Sequence, residues 1–220
     1  MVYIYYAYID EKNHRNLIQN SLTKFSKKYQ QKILKYRRWQ DAQLSLLGRL
    51  LLLNGMKDLN SELEVFELEY TEYNKPFFSN LDLKFNISHS GNIVLCAISK
   101  SYDLGVDIEL IKDVEIEIFK DQMTIYEWKK IEKNNYPEIA FYEYWTQKEA
   151  IIKAHGKGLS IPLKSFEVKD NKTQIDNDVF YVSNITIEEG YTCNIASQNA
   201  IHKKDIIINK VDTRNLVTIR

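Results

Sequence analysis

The chain has 220 residues, 44% of them hydrophobic and 27% charged, which suits a soluble globular protein of one large domain or two small halves. Thirty basic residues offset thirty acidic ones, so no global field draws nucleic acid or an anionic membrane surface. Cys96 and Cys193 stand far apart and form no metal-type pair, which fits a reducing, cytoplasmic setting.

The opening "MVYIYYAYIDEK" lacks a basic lead and a cleavage-type site, is too short to span a bilayer, and is rich in β-formers. It predicts a first strand over about residues 2–9. Helical material follows around 14–36, then a strongly apolar helix near 39–57. Its run "LSLLGRLLLLNGM", broken by Arg49, is too short for a membrane span and predicts a buried helix. "EVFELEYTEY" and "KFNISHSGNIVLCAIS" read as strands joined through the turn residues of "NKPFFSN". "YDLGVDIELI" is another strand, and helices are expected over 115–134 and 137–155. Strand-like alternation returns in "KSFEVKD", "DVFYVSNITIEEGYTCNIAS" and "DIIINKV". "NIVLCAIS" and "YTCNIAS" occupy matching places in this order, which predicts an α+β chain of two similar halves, 1–103 and 104–220.

Within "LGVDIELI", strand alternation puts Asp107 and Glu109 on one face and Val106, Ile108 and Leu110 on the other. Two such carboxylates can converge on a hard cation such as Mg²⁺, although a lone D-x-E is more often a solvated strand edge. From Lys12 to Gln40 there is no acidic residue and there are nine Lys or Arg. Lys24, Lys28 and Lys32 recur at helical spacing, where like charges repel and an anionic ligand would relieve them. Read alone, the segment is a solvated basic face. The four histidines show no ligand spacing for zinc, and no nucleophile pattern surrounds Ser88 or Ser90 beside His89. "GKGLS" lacks Walker spacing and follows a helix, so Gly156 or Gly158 reads as a helix C-cap. In "YWTQKEAIIKAHGKGLS" apolar residues cover most sides of the helix, which predicts burial against more than one element. Glu149 and Lys153, four apart, read on their own as a modest surface ion pair.

Together these segments resemble the 4'-phosphopantetheinyl transferases of the Sfp (surfactin synthetase-activating) type. The family pattern G-[IV]-D-[IV]-E is matched by Gly105-Val106-Asp107-Ile108-Glu109. W-[ST]-x-K-E-[AS]-x-x-K is matched from Trp145 to Lys153, and "NKPFF", "FNISHSG", "GKGLSIPL" and "RRWQDAQLSLLGRLLL" are similar to further family segments. The resemblance implies a pseudo-twofold α+β fold with a ligand cleft between the halves. It implies transfer of the phosphopantetheine arm of coenzyme A to a serine of an acyl or peptidyl carrier protein, releasing adenosine 3',5'-bisphosphate.

By the same match, Asp107, Glu109 and Glu149 are expected to hold Mg²⁺. Glu149 or a metal-bound water would take the serine proton, with Glu127 as a possible helper. Lys153 would offset charge on the leaving phosphate, and Lys148 is expected to face the ligand. Ser88 and His89 are expected at phosphate, Lys75 beside the adenine, and Lys32 and Ser45 near the 3'-phosphate. Where close relatives have a second lysine just before Lys32, this chain has Tyr29, and Lys28 is positioned to substitute. Segment 111–126 is either part of the carrier surface, through Ile116, Ile118 and Phe119, or part of the core. A monomer is expected, with no membrane or nucleic-acid partner. The rivals are another Mg²⁺-dependent phosphoryl transferase and a catalytically idle coenzyme A or carrier-binding module. An idle binder would be expected to lose a carboxylate or Lys153, and all are present.

Overall fold

The computed structural model describes the chain except residues 62–65 and 217–220. The described residues form two compact units. The first begins with β1 (Val2–Tyr8), α1 (Glu11–Ser21), α2 (Lys27–Leu34) and α3 (Trp39–Asp58). The helical stretch expected over 14–36 is therefore two helices. A 3-10 turn at Leu22–Lys24 ends the first, and Phe25 is extended. Ser26 then starts the second by accepting the Tyr29 amide, the usual role of an N-cap serine. α3 is buried on most of its surface, with Leu46, Leu47, Leu50 and Leu51 fully enclosed, as its unbroken apolar run predicts.

A short hairpin pairs β2 (Glu69–Tyr70) with β3 (Pro76–Phe77). Of the expected strand "EVFELEYTEY", residues 64 and 65 lie outside the described residues, and only Glu69–Tyr70 pair. β4 (Lys84–Ser90) and β5 (Ile93–Ser99) form an antiparallel hairpin, so "KFNISHSGNIVLCAIS" is two strands. β5 also pairs with β1, antiparallel.

The second unit comprises Thr71–Lys75 and Tyr102–Ile206. It holds β6 (Leu104–Leu110), α4 (Ile125–Glu132), α5 (Pro137–His155), β7 (Lys172–Ile175), β8 (Asp178–Asn184) and β9 (Tyr191–Ser197). Its sheet runs β6-β9-β8-β7, antiparallel throughout, and α5 packs on β6 and β9. The helix expected over 115–134 is a 3-10 segment, Ile116–Gln122, followed by α4. A capping box between Thr124 and Glu127 starts α4 afresh. "KSFEVKD" is not a strand. Pro162 precedes a 3-10 turn at Leu163–Ser165, and only Lys169 bridges, to Lys172. α5 ends as its glycine predicts: Gly156 is left-handed at φ 91° and its amide bonds to Ile152 O.

From Ile207 onward the chain returns to the first unit. β10 (Ile206–Lys210) joins a sheet of order β10-β1-β5-β4, and the short α6 (Thr213–Leu216) follows. Each unit is thus a four-stranded sheet carrying one long, largely buried helix, α3 in the first and α5 in the second. Among the described residues no helix is long and apolar enough to cross a membrane.

Candidate active site

Alternation along β6 puts Gly105, Asp107 and Glu109 on one face, and that face meets α5. The contact depends on glycine. A Cβ at Gly105 would overlap the carbonyl of Ala150 and the amide of Ala154, so only a hydrogen lets the helix lie this close. The close seat brings Lys153 to the strand. Its Nζ lies 2.5 Å from Asp107 Oδ1 and donates to Val106 O at 3.3 Å. Asp107 is only 3% exposed.

Glu149 sits one turn before Lys153 and is half-buried. Desolvation raises its carboxyl above the usual range, the Asp107 and Glu109 carboxylates add to this, and Lys153 opposes it. One further turn back, Thr146 is fully buried, donates to Tyr142 O at 2.8 Å and receives Asn194 Nδ2 at 2.8 Å. Asn194 on β9 is the cross-strand partner of Asp107, and Thr192 that of Glu109. A polar layer therefore lies between sheet and helix. Helical spacing puts Thr146 on the flank of Glu149 and Lys153, whereas Asn194 belongs to none of the motifs singled out in the sequence. The signal available was an asparagine amid strand formers in "YTCNIAS".

Asp107, Glu109 and Glu149 offer oxygen only, with no thiolate or imidazole among them. Such a donor set fits a hard cation of the Mg²⁺ kind. Among the described residues no three His, Cys, Asp or Glu side chains are already gathered as a metal cluster. The Lys153 ammonium is the cation on the Asp107 oxygen.

Lys148 and Glu127 lie elsewhere than the sequence reading expected. Both are fully buried and form an ion pair at 2.9 Å. Lys148 Nζ also donates to Leu163 O at 2.8 Å and Phe166 O at 2.7 Å, which uses all three of its protons on protein acceptors. Glu127 accepts from the amides of Thr124 and Val168, each at 2.9 Å. Burial pulls Lys148 below the ordinary lysine range, and Glu127 pushes it back. The pair ties α4, α5 and the 163–168 segment together. Both side chains are enclosed by protein.

The other expected contacts are placed as follows. Lys28 and Lys32 are exposed on α2, whereas Tyr29 between them is buried. Tyr29 Oη donates to Ser45 O at 2.7 Å and lies 3.2 Å from Ser45 Oγ. Ser88 and His89 are neighbours on β4, so their side chains leave opposite faces, with Ser88 buried and His89 exposed. Lys75 belongs to the second unit, where its Nζ donates to Ala154 O at 3.1 Å, at the C-terminal end of α5. In segment 111–126, Ile116 is core and Phe119 packs on Phe141 and Trp145. Ile118 alone of the three is exposed, at 67%.

Comparison with known proteins identifies the class. The 4'-phosphopantetheinyl transferase superfamily profile matches residues 103–196, and the profile "4'-phosphopantetheinyl transferase, N-terminal" matches residues 13–101. The 4'-phosphopantetheinyl transferase gsp of Aneurinibacillus migulanus is 35% identical over 90% of this chain and 86% of its own. The 4'-phosphopantetheinyl transferase Sfp of Bacillus subtilis is 30% identical over 92% of this chain and 95% of its own. A Xenopus laevis relative, the L-aminoadipate-semialdehyde dehydrogenase-phosphopantetheinyl transferase, is 32% identical over 69% of this chain and 52% of its own. The chain belongs to the 4'-phosphopantetheinyl transferase superfamily. Within it the chain is of the Sfp type, an enzyme that transfers phosphopantetheine.

Proposed function

We propose that this enzyme moves the 4'-phosphopantetheine arm of coenzyme A onto a serine of acyl or peptidyl carrier proteins, with adenosine 3',5'-bisphosphate as the other product. The observation that carries the reading is the seat of α5 on Gly105, which sets Glu149 and Lys153 against the Asp107–Glu109 face of β6. Asp107, Glu109 and Glu149 would hold Mg²⁺. When bound, such an ion neutralises charge on a pyrophosphate and orients the phosphorus.

The chain's own groups supply the rest. The Glu149 carboxylate, its proton affinity raised by desolvation, accepts the proton of the carrier serine as its oxygen attacks the β-phosphorus. The P–O bond to the adenosine-side phosphate breaks, and Lys153 stabilises the negative charge that leaves. Lys28, Lys32, Ser45, Ser88, His89 and Lys75 are the groups proposed to hold the nucleotide part of coenzyme A. The two free, buried cysteines support a reducing, cytoplasmic setting, and we take the working species to be a monomer.

The test is mass spectrometry of a panel of apo acyl and peptidyl carriers incubated with the enzyme, coenzyme A and Mg²⁺. A phosphopantetheine mass gain at the carrier serine is expected. No gain on any carrier would sink the carrier-directed reading.

A further inference from the structure

Arg49 lies on α3 one turn beyond Ser45, within the first unit. Its guanidinium rests on the ring of Tyr29, with Cζ 3.5 Å from the ring centroid. One of its nitrogens donates to the hydroxyl of Tyr70. Arg49 is half-buried, and among the described residues it enters no ion pair with a carboxylate. A guanidinium has five N–H donors in a rigid fork, so most of that fork is not accounted for by Tyr70.

Tyr29 explains the geometry. Its hydroxyl proton goes to Ser45 O, and burial pushes the phenol up to about 12, with the Ser45 bond and the Arg49 charge pulling the other way. The position is therefore neutral and serves as a flat platform. With the phenol proton spent on Ser45 O, the Ser45 hydroxyl is the donor in its 3.2 Å contact with the phenol oxygen, and rotation about its Cα–Cβ bond can turn that proton to an anion. A stacked guanidinium steered by a tyrosine, next to a serine hydroxyl and a helix with exposed Lys28 and Lys32, has the chemistry of a receptor for a phosphate monoester. Arginine suits this better than lysine, because its fork meets two phosphate oxygens at once.

We propose that Arg49, with Ser45, is the residue that discriminates coenzyme A by its ribose 3'-phosphate, supplying from α3 the charge that Tyr29 does not. The inference rests on the transferase reading. There the carboxylate face of β6 serves the pyrophosphate, which leaves the 3'-phosphate as the one other anionic group of coenzyme A. A group of up to −2 charge needs a fixed cation of its own.

The experiment is calorimetric titration of coenzyme A and of 3'-dephospho-coenzyme A into wild type, Arg49→Gln, Arg49→Lys, Lys28→Gln and the double variant Tyr29→Lys/Arg49→Gln, with circular dichroism as the fold control. Wild type is expected to prefer coenzyme A, and Arg49→Gln to lose about ten- to a hundredfold on coenzyme A alone, the weight of a hydrogen-bonded charge. Arg49→Lys loses part of this, and remains the readout if Arg49→Gln does not fold. The double variant recovers the preference, because a cation has returned at position 29. Equal weakening of both ligands by Arg49→Gln overturns the inference. So does a preference lost in Lys28→Gln and kept in Arg49→Gln. A wild type that binds both ligands equally overturns it too, while leaving carrier modification standing. Failure of carrier modification with the preference intact would sink the transferase reading instead.

Discussion

Two lysines five residues apart on α5 are treated in opposite ways. Lys148 is wholly enclosed, and each of its protons ends on Glu127 or a backbone carbonyl. Lys153 is paired as well, but to an acid that shares a strand face with Glu109, and 27% of its side chain is still open. The first pair is closed chemistry that holds segments together. The second is a cation set among three carboxylates whose charges sense one another through Glu149. One helix thus carries a structural tie on one side and the proposed reactive face on the other, and the glycine opposite Ala150 lets that second face seat on β6.

The comparison can be broken first at its structural end. Lys148→Met leaves Glu127 as a lone buried charge, and urea unfolding should show a loss of about 3–5 kcal/mol. Replacing both partners, Glu127→Leu with Lys148→Met, should recover most of that loss, since apolar pairs of similar volume substitute well for buried ion pairs. If the single variant matches wild type, the tie carries no weight. At the reactive end, Lys153→Met should lower kcat for carrier modification on the order of a hundredfold at saturating coenzyme A. A change confined to KM would mean that Lys153 only binds.

Gly105→Ala tests the seat itself. Overpacking against the helix backbone should cost about 1–3 kcal/mol in thermal unfolding, and kcat should fall as Lys153 and Glu149 shift from β6. The smallest effect is a pH slope. Glu149 keeps its proton in the native chain at pH values where the unfolded chain has released it. Stability from this group is therefore complete below the ordinary carboxylate value and is lost as pH rises through the raised native one. In chelator-treated protein the wild-type unfolding midpoint should fall across that window relative to Glu149→Gln. Parallel profiles for the two would remove the shift.

Much of this was legible in the residues. The D-x-E strand, the long helices at 39–57 and 137–155 and the glycine cap all follow from periodicity and local chemistry. What the chain hides is tertiary. Four-residue spacing suggests that Lys153 pairs with Glu149, but the close approach allowed by Gly105 gives it Asp107, and no helical wheel contains that strand. Lys148 sits in the same motif as Glu149, and only its burial against Leu163 and Phe166 separates a tie from a ligand contact. "KSFEVKD" alternates like a strand, yet two carbonyls next to it and within it point at that buried ammonium. Arg49 reads as an interruption of an apolar helix until Tyr29 is found beneath it.

The central claim is that the carboxylate face of β6 under α5 is the metal-dependent reaction centre. The most direct measurement is carrier mass gain for Asp107→Asn over a Mg²⁺ titration, with circular dichroism of the same sample. The account predicts a wild-type unfolding midpoint and a rate lower by on the order of a hundred- to a thousandfold at every Mg²⁺ concentration. Wild-type turnover with unchanged Mg²⁺ dependence would contradict it.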